Sequence, residues 1–199
     1  RFTLEVGAGV MPVEIDRSGP LPRFTMTQFA PRFGREYRAE EIAALVGLEP
    51  TDILCTPQSV ATGNFFCVTR LRDHDALARA RLDVGAMHAA RKRVDFMEPF
   101  LVVTEGFTRD GDTAARLMLI PPEPAEDPFT GSATGSMAAY LWARGILESP
   151  RFVAEQGHGM GRPGRASVEV LGPRDAIEGV RVGGTAVVVM DGKLFLPDG

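Results

Sequence analysis

The sequence predicts an α+β fold built mainly from antiparallel sheets, and three observations support this class. Short apolar runs alternate between apolar and polar residues, as half-buried strands do. Turns rich in glycine and proline separate these runs. Only a few segments have helical periodicity, and they do not alternate regularly with the strands, which disfavours a doubly wound parallel sheet.

The chain opens with three predicted strands. Residues 2–6 alternate as a half-buried strand does, and the turn Gly7-Ala8-Gly9 leads to a second strand over 10–15. A loop with two prolines then precedes a third alternating run over 24–29. These elements predict a small antiparallel sheet at the start of the chain.

A short amphipathic helix is predicted over residues 40–48. Ile42, Leu45 and Val46 fall on one face of this helix, and Gly47 can end it. The next predicted elements are strands over 52–56 and 64–71, helices over 73–82 and 85–93, and strands over 100–105 and 115–120. After the helix described next, the predicted strands are 152–156, 166–171, 185–190 and 193–196.

One segment in the last third of the chain has the clearest functional signal. It reads Ala125-Glu126-Asp127-Pro128-Phe129-Thr130-Gly131-Ser132-Ala133-Thr134-Gly135-Ser136-Met137-Ala138-Ala139-Tyr140-Leu141-Trp142. Thr130 or Ser132 can N-cap a mostly buried helix, and Gly131 and Gly135 lack side chains where a ligand or another backbone could approach. Free N–H groups at such a helix start can bind a carboxylate or phosphate, and Asp127 lies beside them. The segment is therefore either a buried helix behind an acidic loop or part of a catalytic site.

Two parts of the chain resemble each other and predict two similar lobes. Residues 2–7 match residues 152–157 at Phe, Glu and Gly, and residues 13–15 resemble residues 168–170. A helix precedes the second of these hairpins, so the repeat predicts another helix upstream of Arg1 and a truncated chain. We expect residues 1–38 to be a remnant of the first lobe and residues 39–199 to form the second, with the final strand able to return to the first.

Composition excludes several classes of partner. The net charge is −4, and no run of Lys or Arg suits nucleic acid. No apolar run approaches the roughly 20 residues of a membrane span. Cys55 and Cys67 lie in strand-like runs and are predicted to be buried, reduced thiols of a cytoplasmic protein.

The histidines do not predict a metal site. His74, His88 and His158 are far apart in sequence and lack ligand spacing. His158 lies in the glycine-rich turn of the second hairpin, where it could face the cleft or simply occupy a surface turn.

Three ordered motifs resemble those of the PhzF family of phenazine-biosynthesis-like isomerases. They are Glu126-Asp127-Pro128-Phe129-Thr130-Gly131-Ser132-Ala133, Gln156-Gly157-His158-Gly159-Met160-Gly161-Arg162-Pro163 and Val182-Gly183-Gly184-Thr185-Ala186-Val187-Val188-Val189. Short patterns are weak singly, and their shared order makes the resemblance specific. It implies a diaminopimelate epimerase-like fold, with two pseudo-symmetric lobes of mostly antiparallel sheet wrapped on a central helix. The first of these lobes would be incomplete here.

The resemblance also implies a function and its residues. It implies a homodimeric isomerase or epimerase that needs no cofactor and moves a proton on a small carboxylate-bearing substrate. Asp127 would be the catalytic acid, and Thr130, Gly131 and Ser132 would bind substrate. Because Ser132 occupies the position where other members of the fold carry a catalytic cysteine, a two-cysteine mechanism is not expected.

The family's main acid/base glutamate and its Gly-His-x-Thr segment have no match in residues 1–199. We expect both upstream of Arg1, in a missing N-terminal segment or on a separate chain. The 199 residues would then be inactive alone. The alternative is a protein that keeps the fold and binds small anions, or serves in assembly, without catalysis.

Overall fold

The computed structural model describes residues 2–7, 9–193 and 195, and within them it contains twelve strands and four α-helices. The strands are β1 (Phe2–Val6), β2 (Gly9–Asp16), β3 (Arg23–Gln28), β4 (Arg32–Glu36), β5 (Gln58–Ala61), β6 (Phe65–Arg70), β7 (Pro99–Val103), β8 (Thr113–Met118), β9 (Glu126–Asp127), β10 (Arg151–Gln156), β11 (Gly164–Leu171) and β12 (Gly179–Thr185). The helices are α1 (Ala39–Val46), α2 (His74–Arg79), α3 (Val84–Ala90) and α4 (Gly131–Ala143).

The strands form one mixed, mostly antiparallel sheet in the order β1-β2-β3-β12-β11-β10-β8-β7-β6-β5-β4. The pairs β6–β7 and β8–β10 are parallel. The short strand β9 pairs with the last two residues of β8, just beyond the residues of β8 that pair with β10. The expected α+β class is confirmed, whereas the division at residue 38 stays a prediction.

Helix α4 lies on one face of the sheet, and α1, α2 and α3 lie on the other. On β8, Ala115 and Leu117 point to the α4 core, and Ala114 and Met118 point to the core under the other helices. This alternation is the ordinary two-residue period of a strand. Residues that pair with these positions on neighbouring strands therefore point to the same face as their partners.

Helix α4 is apolar on nearly all sides, as predicted for a helix buried on most faces. It packs against β5, β6, β11 and β12. Its large side chains Met137, Tyr140 and Leu141 are fully buried, and the Tyr140 hydroxyl donates to the carbonyl of Thr56 at 2.7 Å. The body of α4 is therefore held in a fixed place relative to the sheet.

Most predicted elements are present, and two strand predictions are wrong. Residues 52–56 do not form a strand, because a 3-10 turn over Pro50–Asp52 occupies their start and only Ile53 makes an isolated bridge. Arg72 and Arg79 bind the buried Asp52 carboxylate and fix that turn.

The predicted strand over 185–190 is also wrong, since β12 ends at Thr185. Residues 186–190 have the apolar pattern of a strand but no strand partner among the described residues. Of the predicted last strand, 193–196, residues 194 and 196 lie outside the described residues. Strands β4, β5 and β9 were not predicted, and of β12 only Thr185 falls within a predicted strand.

The two cysteines are free thiols. Cys67 is fully buried, and burial raises the pKa of its thiol, so it is a structural residue as predicted. Cys55 is only half-buried.

Among the described helices, none is both long enough and apolar enough to cross a membrane.

Candidate functional site

The start of helix α4 presents main-chain N–H groups with no internal acceptor. Thr130 is the N-cap residue, with extended φ and ψ of −111° and 96°. Its side chain makes no capping hydrogen bond to the helix. Among the described residues, none accepts a hydrogen bond from the N–H groups of Gly131, Ser132 or Ala133. These groups and the positive end of the helix dipole can hold an anion.

Asp127 lies beside this helix start and does not point away from it. Because Asp127 pairs with Leu117 across β8 and β9, its side chain lies on the α4 face of the sheet. The Thr130 hydroxyl donates to its Oδ2 at 2.6 Å. The structure thus brings together the predicted catalytic acid and the predicted first substrate-binding residue.

Glu126, the neighbour of Asp127, points to the opposite face. It pairs with Met118, and Arg116 binds its carboxylate through Nε at 3.1 Å and Nη2 at 2.5 Å. The two adjacent acids are therefore separated by the sheet, and only Asp127 is available at the start of α4.

Gln156, at the end of β10, holds the loop between Asp127 and Thr130. Its side chain is 1% exposed, and its Nε2 donates to the main-chain carbonyl of Asp127 at 2.8 Å and to the Thr130 hydroxyl at 3.3 Å. Its Oε1 accepts the Thr130 N–H at 3.2 Å. Since Gln156 donates to the Thr130 oxygen, the single hydroxyl proton of Thr130 is free to point at Asp127.

Gln28 and Thr62 support the first turn of α4 from the other side. Gln28 Nε2 donates to the carbonyl of Gly131 at 2.9 Å, and the Thr62 hydroxyl donates to Gln28 Oε1 at 2.5 Å. A Cβ at Gly135 would overlap Gln28 Oε1, so glycine is needed for this approach. At Gly131, by contrast, a Cβ would meet nothing within 4 Å.

The open side of Gly131 belongs to a cavity of about 800 Å³. Gly131 and Ser132 line it together with apolar side chains that include Met11, Met26 and Phe129. Neither Asp127 nor Thr130 is among the lining residues; the pair lies directly behind the wall, because Thr130 precedes Gly131 in the chain and its hydroxyl is bonded to Asp127. Arg165 is the one ionisable side chain that lines this cavity within the described residues.

His158 does not face this cavity. It packs on Phe107 and lines a different cavity on the opposite face of the sheet, so neither the cleft nor a plain surface turn describes its position. No group of three His, Cys, Asp or Glu side chains in the described part of the chain could hold a metal ion.

Sequence reasoning did not find Gln156, Gln28 or Thr62. Gln156 is the first residue of one of the three motifs, and this position was a sequence signal for a role at the site. Gln28 and Thr62 carry no such signal, because they reach α4 from strands or turns more than 65 residues away in sequence.

Comparison with known proteins gives a consistent family. The sequence profile described as "Phenazine biosynthesis-like protein" (PhzC-PhzF) matches residues 1–192. An "uncharacterized isomerase" of Mesorhizobium japonicum is 29% identical over 209 residues, which span 98% of this chain and 68% of the relative. Another from Clostridium acetobutylicum is 26% identical and spans 96% of this chain and 67% of the relative.

Solved structures have the same fold. A Bacillus anthracis phenazine biosynthesis protein of the PhzF family has a TM-score of 0.81 at 24% identity, over 98% of this chain and 68% of that one. A predicted epimerase of Pseudomonas aeruginosa has a TM-score of 0.74 at 27% identity, over 96% and 67%. An Agrobacterium vitis hydroxyproline epimerase is similar in fold alone, with a TM-score of 0.61 at 15% identity, over 92% and 55%.

Proposed function

The chain belongs to the phenazine biosynthesis-like (PhzC-PhzF) family, and from this premise we propose that it is an isomerase or epimerase that moves a proton on a small carboxylate-bearing substrate. Relatives are named isomerases, and structural neighbours are named epimerases. The proposal assigns the start of α4 as the substrate-binding half of the site.

One observation carries this proposal: the Thr130 hydroxyl is bonded to the Asp127 carboxylate beside a helix start whose first N–H groups have no acceptor among the described residues. The N–H groups of Gly131 and Ser132 would bind the substrate carboxylate. Asp127 would hold or transfer a proton, and Thr130 would orient its carboxylate. Proton transfer by a positioned carboxylate typically accelerates a reaction by about 10²- to 10⁴-fold and requires no cofactor.

A second acid/base group is also part of the proposal. Within the described residues, no carboxylate, imidazole or thiol lines the cavity next to Gly131. A proton that leaves one position on the substrate and arrives at another needs groups on both sides, or one group that can reach both. We place the second group either outside the described residues of the same polypeptide or on a second copy of the chain in a homodimer.

Exchange with solvent tests the proposal directly. The protein is incubated in D₂O with a panel of small carboxylates that bear an acidic C–H, and ¹H NMR follows the loss of that proton. Exchange that requires Asp127 supports the isomerase.

Binding is followed in parallel by the chemical shifts of the Gly131–Ala133 amides. If the 199-residue chain binds carboxylates there without exchange, the second group is supplied from elsewhere, and exchange should appear in a polypeptide or assembly that also carries this group. If such a polypeptide or assembly also binds without exchange, the protein is an anion-binding protein and the proposed chemistry is wrong.

A further inference from the structure

A second cavity of about 520 Å³ lies on the face of the sheet opposite α4. It is bounded by α2, the loop between β7 and β8, strand β9 and the turn after β10. Its aromatic and charged lining residues are His74, Arg81, Phe107, Arg116, Glu126 and His158. None of these residues takes part in the site at the start of α4.

The Phe107 ring packs against two imidazoles in tilted geometry. Its ring centroid is 4.8 Å from that of His74 and 4.4 Å from that of His158, with interplanar angles of 41° and 30°. Even so, Phe107 remains 42% exposed. The three rings come from distant parts of the chain and form one partly open aromatic surface on the cavity wall, suited to offset or edge packing with another ring.

The loop that carries Phe107 is held by a buried acid. Glu155 accepts the N–H groups of Phe107 and Thr108 at 2.7 and 3.0 Å and the Thr108 hydroxyl at 2.5 Å. A Cβ at Gly111 would overlap this carboxylate, so the loop closes tightly around it. The position of Phe107 is therefore fixed before any ligand arrives.

The charged side chains at the rim of this cavity, Arg81, Arg116 and Glu126, together carry one uncompensated positive charge. Arg116 uses Nε and Nη2 on Glu126 and Nη1 on the carbonyls of Leu77 and Ala80, so the charge of Glu126 is already compensated. Arg81 uses only Nη1, on the carbonyls of Ala78 and Ala80. Its Nε and Nη2 have no acceptor among the described residues.

The two imidazoles add hydrogen-bond donors to the same cavity. The Nδ1 atoms of both His74 and His158 are buried and have no hydrogen-bond partner in the described part of the chain. A buried N–H without an acceptor is strongly disfavoured, which places the proton of each neutral ring on Nε2. Each ring that lines the cavity can then offer an Nε2–H group to an acceptor.

We propose that this second cavity, between α2 and β9, binds a small aromatic carboxylate. The ring of the ligand packs on the exposed part of Phe107, and its carboxylate accepts hydrogen bonds from Arg81 and the imidazole Nε2–H groups. The site lies across the sheet from Asp127, so it is independent of the proposed isomerase site.

Benzoate is the probe for this site, and ¹H–¹⁵N NMR titration of the folded protein is the measurement. We expect saturable shifts at Phe107, Thr108, His74 and His158, with little change at Gly131–Ala133. Acetate, which lacks the ring, and benzyl alcohol, which lacks the charge, should each bind at least about tenfold more weakly.

Two variants sharpen the test, and a third serves as the control. Arg81→Ala should weaken benzoate binding at least about tenfold, since a hydrogen bond to a charged group is lost. Phe107→Leu keeps an apolar side chain and removes the ring, and it should also weaken binding. Arg17→Ala changes an exposed arginine far from the cavity and should bind as the unaltered protein does.

Four results would each overturn the inference. These are no saturable shift with benzoate, shifts confined to the start of α4, acetate binding as tightly as benzoate, and an Arg81→Ala protein with dispersed spectra and unchanged affinity. The spectra of each variant report its folding in the same experiment, so a loss of binding through unfolding is recognised at once.

Discussion

The Thr130 hydroxyl donates to the Asp127 carboxylate, with 2.6 Å between Oγ1 and Oδ2. A threonine at an N-cap ordinarily accepts a hydrogen bond from an N–H group of the first turn, which stabilises a helix by about 0.5–2 kcal/mol. Here the Thr130 hydroxyl is bonded to Asp127 instead, and the N–H groups of Gly131, Ser132 and Ala133 have no acceptor in the part of the chain that the structure describes. The start of α4 thus gives up part of its own stability and keeps its amides available for a ligand.

Removing the Thr130 hydroxyl should therefore affect activity more than stability. In Thr130→Val, Asp127 loses the donor that orients its carboxylate. The rate at which substrate protons exchange with solvent should therefore fall at least about tenfold. Full loss of a positioned acid would lower this rate by about 10²-fold or more. The free energy of unfolding should fall by less than about 1 kcal/mol, because no cap is lost. Thr130→Ser keeps the hydroxyl and should retain activity. Equal loss in both variants would contradict the role assigned to the hydroxyl.

Asp127→Asn should abolish proton transfer while anion binding is kept. The amide cannot hold or release the proton, so the exchange rate should fall by about 10²- to 10⁴-fold. The binding of a carboxylate at the Gly131–Ser132 amides should persist in an NMR titration, since those groups are unchanged. Glu123→Gln alters an exposed acid in the preceding loop and is the control. Retained exchange in Asp127→Asn would remove the basis of the proposed mechanism.

Gln156→Leu should destabilise the loop between Asp127 and Thr130. The substitution removes the side-chain hydrogen bonds to the Asp127 carbonyl and the Thr130 N–H. A lost hydrogen bond costs about 0.5–1.5 kcal/mol and an unsatisfied buried group about 1–3 kcal/mol, so chemical denaturation should give a loss of about 2 kcal/mol. Gln58→Leu, at a half-buried position, should cost less. A Gln156→Leu protein as stable as the original would show that the amide does not hold the loop.

Two glycines in α4 should respond oppositely to alanine. In Gly135→Ala, the new methyl group overlaps Gln28 Oε1, and Gln28 is buried and already bonded to Thr62. We expect a loss of about 1–3 kcal/mol in the free energy of unfolding. Gly131→Ala meets nothing within 4 Å and should leave stability unchanged or raised by up to about 1 kcal/mol. Thermal unfolding of the pair compares them, and the reverse order would contradict the packing described here.

The contribution of Glu155 to stability should depend on pH. Burial alone would raise the pKa of its carboxyl, but hydrogen bonds from Thr108 and Phe107 outweigh burial and hold the pKa below its ordinary value. A depressed pKa in the folded state stabilises the protein above the ordinary Glu pKa of about 4.3 and ceases to do so as pH falls through the folded value.

Glu155→Gln tests this dependence. At pH 7 it should lower the free energy of unfolding by about 1.5–3 kcal/mol, as expected for lost hydrogen bonds to a charged group. The difference from the original protein should shrink steadily below about pH 4.3. Glu148→Gln, at an exposed position, should show little difference at either pH. A Glu155→Gln difference that stays constant down to pH 2 would contradict the account.

Local patterns in the sequence determined the α+β class, helix α4 and the identity of the residues at its start. Strand alternation and helix capping act over a few neighbouring residues, so they can be recognised without knowledge of the fold. For the same reason Asp127, Thr130, Gly131 and Ser132 could be grouped from their spacing along the chain.

Only the tertiary structure decided which residues support them and which strands exist. Gln156 reaches Asp127 because β9 pairs with β8 just beyond the end of β10, and no local pattern records that register. Residues 186–190 have the composition of a strand, but beyond one hydrogen bond from the Ala186 N–H to the Pro22 carbonyl they form no strand pairing with the described residues. Likewise, His74, Phe107 and His158 meet only because three separate connections end at the same face of the sheet. Pairing and packing between distant segments depend on the whole fold, and a short stretch of sequence does not contain them.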